Sequence, residues 1–578
     1  MKQLSGYLKP YRKESFAAPL FKLLEALMDL LVPLVVAAVI NRGIGLADTA
    51  FVIRCVLFLI LLAALGMGFS FTAQWMAARA SVGFSADLRQ SLFDHIQTLS
   101  YAQFDSIGTD TLITRMTSDI NQVQNGVNLS LRLLLRSPFI VFGAMIMAFT
   151  IDVDCAMIFV AVIVALSLVV FGIMAASIPL YAKAQEALDR LLTVTRENLT
   201  GVRVIRAFGR EEAETEEFDR RNRALTGMNE QVGRLSALMN PATYVLINLA
   251  TVVLIRRGAL TVSLGGLTQG EVVALYNYMA QIVVELIKLA SLIITINRSL
   301  ACASRIGGIL EIRPDMEWTG QGQTFGLEEN VPAVVFDHVT FRYEGSAEPA
   351  VEDIDFCVGK GETVGIIGAT GSGKSTVANL IARFYDVTEG AVRVGGRDVR
   401  TWSRDDLLSL IGIVPQKTRL FAGTIRDNLK LGNEKASDEE VMKAVETAQA
   451  LEVVQGREQG LDAMIEQNGR NLSGGQKQRL AIARALVKKP SILILDDSAS
   501  ALDMATDQRL RKAIAGLPGR LTVFIISQRT SSVRGADQIL VMDDGRLVGA
   551  ADHETLLETC PVYREIYESQ YPGEEVSA

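Results

Sequence analysis

The sequence predicts a six-helix α-helical transmembrane domain with long cytoplasmic helical extensions, fused to an α/β domain built around a phosphate-binding loop. Three observations carry this. Long apolar segments are confined to residues 14 to about 300 of the 578. Basic residues crowd the loops on one side of those segments. In "ETVGIIGATGSGKST" an apolar strand runs straight into a glycine-rich loop carrying Lys374 and Ser375.

The membrane half rests on segment length, because a helix needs about 20 residues to cross the hydrocarbon layer. "CAMIFVAVIVALSLVVFGIMAASI", 155–178, has that length and no charge. "CVLFLILLAALGMGFSFTAQWMAA", 55–78, is nearly as clear. Further spans are expected at about 20–40, 133–151, 241–262 and 273–296, which carry Glu25 and Asp29, Arg136, Arg256 and Arg257, and Glu285 and Lys288 respectively. Ionised groups at that depth are costly and should face the bundle interior or a wet cavity. Glu285 and Lys288, three apart, fit either a local ion pair or the lining of a substrate path.

Loop charges set the orientation. Lys2, Lys9, Arg12 and Lys13 precede the first span, and ten Lys and Arg residues lie between 178 and 239, whereas the turn "DVDC" has none. Basic residues stay inside, so both termini are expected in the cytoplasm of a plasma-membrane protein. The inner loops keep helical periodicity, as in "LDRLLTVTRENLTGVRVIRAF", so the spans should continue past the lipid. "SYAQFDSIGTDTLITRMTSD" and "ENLTGVRVIRAFGR" are candidates to touch a cytoplasmic domain. The N-terminal apolar stretch is too long for a signal peptide and is interrupted by Glu25 and Asp29.

A net charge of −7 gives no electrostatic footprint for nucleic acid. The five cysteines and three histidines are too dispersed for a zinc site. A polar, Gly-rich stretch at 311–330 reads as a linker between a membrane domain, 1–310, and a nucleotide domain, 331–578.

In the nucleotide half, "AVVFDHVTFRY" and "VEDIDFCV" read as strands. In residues 368–376 the amides of small residues cradle phosphate, Lys374 supplies a mobile positive charge and Ser375 is placed to ligate magnesium. Asp496 ends the aliphatic strand "SILILD", where a carboxylate can hold magnesium or cap a helix. Tyr343 follows an early strand and fits stacking on a purine or ordinary packing; Gln416 ends "IGIVPQ" and fits a metal or water contact or a surface glutamine. "LSGGQKQRLAIARAL" opens with Ser473 as a helix cap, and Gly474 and Gly475 expose backbone amides. A second phosphate-binding surface on one chain calls for head-to-tail association of two nucleotide domains.

Together these motifs resemble those of ATP-binding cassette (ABC) exporters of the half-transporter type, with the type IV arrangement of a membrane domain ahead of the cassette, and the resemblance covers nearly the whole chain. It implies ATP and Mg2+ as ligands and an α/β P-loop NTPase domain. Tyr343 matches the adenine-stacking aromatic. Gly368, Ala369, Thr370, Gly371, Ser372, Gly373, Lys374, Ser375 and Thr376 match the phosphate loop. Ser375, Gln416 and Asp496 match the metal contacts. Ser473, Gly474, Gly475 and Gln476 match the signature, and "SALD", ending at Asp503, matches the loop joining paired sites. Two positions depart from the family pattern: Asp497 stands where Glu is usual and Gln528 where His is usual.

Asp497 is one methylene shorter than Glu, and a general base must come within about 2.6–3.2 Å of its water. Gln528 donates hydrogen bonds but carries no ionisable proton. The expectation is therefore a weakly hydrolytic site here, with the intact signature completing a competent site on a second, unlike half-transporter. The alternatives are a homodimeric exporter or a non-exporting regulatory membrane ATPase. The expected cargo is an amphipathic drug or lipid, and membrane lipid is the expected surrounding partner.

Overall fold

The computed structural model describes residues 4–318, 320, 331–498 and 501–571. Most of the expected linker, and Ser500 of "SALD", lie outside them. The chain divides into two compact units, 1–97 with 110–312, and 98–109 with 313–578.

The membrane unit carries the six expected helices. Leu4–Ile44, Thr49–Ile96, Thr109–Ile151, Val153–Thr200, Glu211–Ser263 and Gln269–Leu310 are each long and apolar enough to cross a bilayer. The 48 residues of Val153–Thr200 rise about 72 Å at 1.5 Å per residue, against a hydrocarbon layer of about 30 Å. More than half of such a helix therefore stands outside the lipid. Small residues line the packed faces: Ala37, Ala144, Ala148, Ala156 and Ala274 share a buried cluster with Phe159 and Tyr278. In lipid, helix association depends on such close packing rather than on expelling water.

Several charges within the spans are paired. Arg136 donates to Glu285 at 2.7 Å and to Asp29 at 3.0 Å, with Glu25 at 3.8 Å. Glu285 also accepts from Ser137 at 2.7 Å and from Lys288 at 2.9 Å. The local pair, one of the two readings of Glu285 and Lys288, therefore exists, inside a larger network that ties three helices together. Lys22, buried, bonds Glu25 at 2.5 Å and Ser70 at 3.0 Å. Arg257 pairs with Asp154 at 2.5 Å.

The nucleotide unit contains three sheets. Strands β1 (Val334–Phe341), β2 (Val351–Val358), β4 (Glu389–Val394) and β5 (Arg397–Asp398) form an antiparallel sheet in the order β2-β1-β4-β5. Strands β3 (Thr363–Gly368), β6 (Ile411–Val414), β9 (Ile492–Asp496), β10 (Thr522–Ile526), β11 (Gln538–Asp543) and β12 (Arg546–Ala551) form the main sheet, in the order β12-β11-β3-β10-β9-β6. Two short strands, β7 (Gly423–Thr424) and β8 (Met464–Ile465), pair separately. From β11 to β6 the main sheet is parallel. Strands β9 and β10 are buried at every position, as expected of continuous apolar runs in the middle of a parallel sheet. Parallel strands bring their C-terminal ends to one edge, where open α/β sheets bind ligands.

Residues 98–109 belong to this unit. Tyr101 stacks on Phe384 with ring centroids 4.5 Å apart. Tyr385 donates to Asp105 at 2.9 Å, and Gln103 donates to the Arg313 carbonyl at 2.7 Å. Burial, with Asp105 alongside, holds the Tyr385 hydroxyl above its usual range. The first inner-loop candidate thus packs against the nucleotide domain of its own chain. The second forms the helix Val202–Ala207 in the membrane unit, with Val204 and Phe208 exposed.

Candidate functional site

The site forms where β3, β9 and β10 end. β3 delivers Gly368 into the loop, and the helix Lys374–Ile381 starts directly after it. Gly373, the residue before that helix, has φ +92°, a conformation L side chains rarely adopt. A Cβ there would also meet the Ala350 carbonyl at 2.7 Å. No side chain caps this helix, so its first N–H groups are left to accept an anion.

Lys374 is buried and turns back into the loop. Its ammonium donates to the Gly368 carbonyl at 2.9 Å, to the Ala369 carbonyl, and to Ser372 Oγ at 3.2 Å. Burial pulls its pKa down, against the opposing fields of Asp496 and Asp497. Ser375 Oγ donates to Asp496 Oδ1 at 3.0 Å. Burial raises the Asp496 pKa, the Ser375 bond opposes that, and the neighbouring Asp497 adds to it.

A cavity of about 320 Å³ is lined by Tyr343, Thr370, Gly371, Gly373, Lys374, Ser375, Thr376, Gln416, Asp496, Asp497 and Gln528. Eleven residues singled out in the sequence thus meet in one space, though they span positions 343 to 528. Gly368, Ala369 and Ser372 hold Lys374 from behind. Gln416 Nε2 lies 3.4 Å from Asp497 Oδ2. Tyr343 packs edge-on against Phe341 and Tyr385, and its hydroxyl lies 3.2 Å from Thr376 Oγ1.

These residues fit a magnesium nucleotide. Among the described residues no group of three or more His, Cys, Asp or Glu side chains forms a metal cage. Magnesium does not need one, since it binds through one or two carboxylates, substrate phosphates and water. Asp496 and Ser375 supply that oxygen pair beside the loop.

The signature lies elsewhere on the chain. Ser473 and Gln476 form a reciprocal capping box at the start of the helix Gly474–Val487. None of the residues lining the cavity comes from it. A Cβ on Gly475 would meet the Ala501 carbonyl at 2.9 Å, so glycine lets the signature helix pack against the segment leading to Asp503. Asp503 caps the helix Met504–Ala515 by accepting from Thr506 N at 2.9 Å.

Two sequence models match the chain: the ABC transporter transmembrane region over residues 15–286, and the ABC transporter model over 351–500. An uncharacterized ABC transporter ATP-binding protein of Mycobacterium tuberculosis is 35% identical over 570 residues, covering 98% of this chain and 97% of that one. The chain belongs to the ABC transporter family. It is an ATP-hydrolysing ABC transporter that binds ATP and Mg2+ through its cassette, a multi-pass plasma-membrane protein with a cytoplasmic nucleotide-binding domain. An ATP-dependent lipid A-core flippase of Vibrio vulnificus is 29% identical over 574 residues, 99% of this ABC transporter and 97% of the flippase. The structure of a bacterial Atm1-family ABC exporter with ATP bound superposes with a TM-score of 0.79 at 25% identity, covering 97% of this chain and 98% of that one.

These matches overturn one expectation. The reading of the chain as the degenerate-site subunit of a heterodimer, with catalysis mainly on an unlike partner, does not hold. The chain aligns end to end with the flippase and the Atm1-family exporter, which favours a homodimeric exporter. The physical reason lies in the site. A shorter carboxylate at 497 is still a carboxylate, and it lines the same cavity as Lys374 and Asp496. The signature is intact as well, on the same sequence.

Proposed function

We propose that two copies of this chain form an ATP-driven exporter of an amphipathic or lipid substrate. The observation that carries the homodimer is the separation of the two phosphate-binding surfaces. The cavity at 343–528 holds every part of a hydrolytic site except the signature, which sits elsewhere on the same chain. Head-to-tail pairing of identical chains supplies each cavity with the other copy's signature and makes the two sites equivalent.

In each site Tyr343 stacks on the adenine, and the loop amides with Lys374 hold the phosphates. Ser375, Asp496 and Gln416 would hold Mg2+, which when bound would supply charge neutralisation at the phosphates. Asp497 accepts a proton from the attacking water, and Gln528 donates a hydrogen bond to the terminal phosphate. Ser473 and the amides of Gly474 and Gly475 of one copy close over the phosphates held by the other, with Gln476 completing the cap and Asp503 in the joining loop. Closure shifts the membrane helices between two states, through contacts such as Tyr101 on Phe384.

Two observations support an amphipathic cargo. A cavity of about 430 Å³ in the membrane unit has Asp29, Arg136, Asn277, Gln281 and Glu285 on its polar side, and Val32, Pro33, Val36, Ile140 and Val284 on its apolar side. The Vibrio relative is named for a lipid substrate.

The test is the purified chain alone in lipid nanodiscs. A particle containing twice the 62.9 kDa chain, hydrolysing ATP without any other protein, is the expected result. A monomer that turns over ATP only after an unlike half-transporter is added would overturn the reading. Within the site, Tyr343→Ala should raise the KM for ATP about 5- to 100-fold, given roughly 1–3 kcal/mol per stacked base. Tyr343→Phe, which keeps the ring, should leave it within about twofold. Equal KM values for both variants would show that the ring does not stack.

A further inference from the structure

We infer that Gln570, at the end of the helix Pro561–Gln570, is a positioning residue that sets Gln528 against the terminal phosphate. The inference rests on the reading of Gln528 given above.

One side-chain amide grips the segment after β10 from both sides. Gln570 Nε2 donates to the Gln528 carbonyl at 2.8 Å. Gln570 Oε1 accepts from both Thr530 N and Thr530 Oγ1, each at 2.9 Å. Thr530 is fully buried, so without Gln570 its two donors lose their partner, which is costly in a protein interior. The start of the segment is fixed independently, by Ser527 N donating to the Ile366 carbonyl at 3.1 Å and Arg529 N to Ser527 Oγ at 3.0 Å. Gln528, between these anchors, lines the nucleotide cavity.

The grip is only as firm as the helix that carries it, and that helix is well seated. Tyr563 is fully buried, packs in the cluster containing Val533, Ile539 and Val541, and shares a 2.7 Å hydrogen bond with His553 Nδ1. Burial pushes the Tyr563 hydroxyl up to about 12 and lowers the His553 pKa, so both stay uncharged at neutral pH. Arg564 donates to the Leu557 carbonyl at 2.7 Å, binding the helix to the one before it. The last helix described in the chain thereby reaches the reacting end of a site assembled from residues 343–528. A misplacement of about 1 Å at a reacting group costs on the order of 100-fold in rate, so losing this brace should show in turnover.

The experiment uses full-length protein in nanodiscs and three variants: Gln528→Ala, Gln570→Ala and the double variant. Gln570→Ala should lower kcat about 10- to 100-fold while the KM for ATP stays within about twofold. Gln528→Ala should lower kcat at least as far, and the double variant no further than Gln528→Ala alone. Gln570→Glu keeps an acceptor for Thr530 and replaces the donor to Gln528 by an acceptor-only carboxylate oxygen, so it should keep the Thr530 anchor and still lose kcat. If Gln528→Ala loses kcat while both Gln570 variants keep it, the positioning role is overturned and the reading of Gln528 stands. If Gln528→Ala keeps full kcat, that reading falls and the inference with it. If Gln570→Ala lowers Tm, raises KM and multiplies the loss in the double variant, Gln570 is a structural brace only and the inference is overturned.

Discussion

Lys374→Ala should abolish ATP turnover by the purified chain and weaken nucleotide binding. The ammonium is buried and collected by two carbonyls and a hydroxyl of its own loop, Gly368, Ala369 and Ser372. Burial lowers its pKa, so its charge is held at a cost. Phosphate oxygens are better partners for that charge than the loop's own neutral groups. A hydrogen bond to a charged group contributes about 1.5–3 kcal/mol, so its loss corresponds to roughly tenfold to hundredfold weaker binding. In the proposed homodimer both sites lose the lysine together, leaving no second site to sustain activity. Nucleotide titration and phosphate release, measured separately, check this. Turnover that stayed near half of the parent value would mean one lysine-independent site, which two equivalent sites cannot provide.

Asp497→Asn separates binding from chemistry. The variant should bind ATP as tightly as the parent, within about twofold, and lose about 10²–10⁴ in kcat, the usual contribution of a positioned general base. The substitution leaves the backbone undisturbed for a specific reason. Asp497 has φ +45°, in the left-handed region where Asp and Asn are the side chains best tolerated after glycine. Its N–H donates to the Ile526 carbonyl at 2.9 Å, a bond the amide variant retains. What the side chain loses is its charge and, with it, the ability to take a proton. Unchanged turnover in the variant would remove Asp497 from the chemistry and leave the water to another base.

The same backbone bears on the departure from the family pattern at this position. A longer Glu side chain would reach further into the cavity, but it tolerates the left-handed conformation less readily than Asp does. The sequence shows the shorter residue without showing the conformation. A short carboxylate at 497 therefore requires neither a weak site nor an unlike partner, and the full-length relatives point away from one.

What the sequence determined by itself was everything encoded over short stretches. Six apolar runs long enough to span a bilayer, a strand leading into a glycine-rich loop, and a serine three residues before a glutamine at a helix start each state their structure locally, through periodicity, length and capping chemistry. They sufficed for the fold class and for the phosphate loop, whereas Tyr343, Gln416, Asp497 and Gln528 stood out only against the family pattern. Tertiary structure alone decided what depends on contacts between distant positions. It joins Arg136 to Glu285 across 149 residues, seats Asp105 under Tyr385 across 280, and brings Gln570 to Gln528 across 42. Each of these is a polar side chain whose partner is fixed by packing rather than by spacing, so no local pattern announces it.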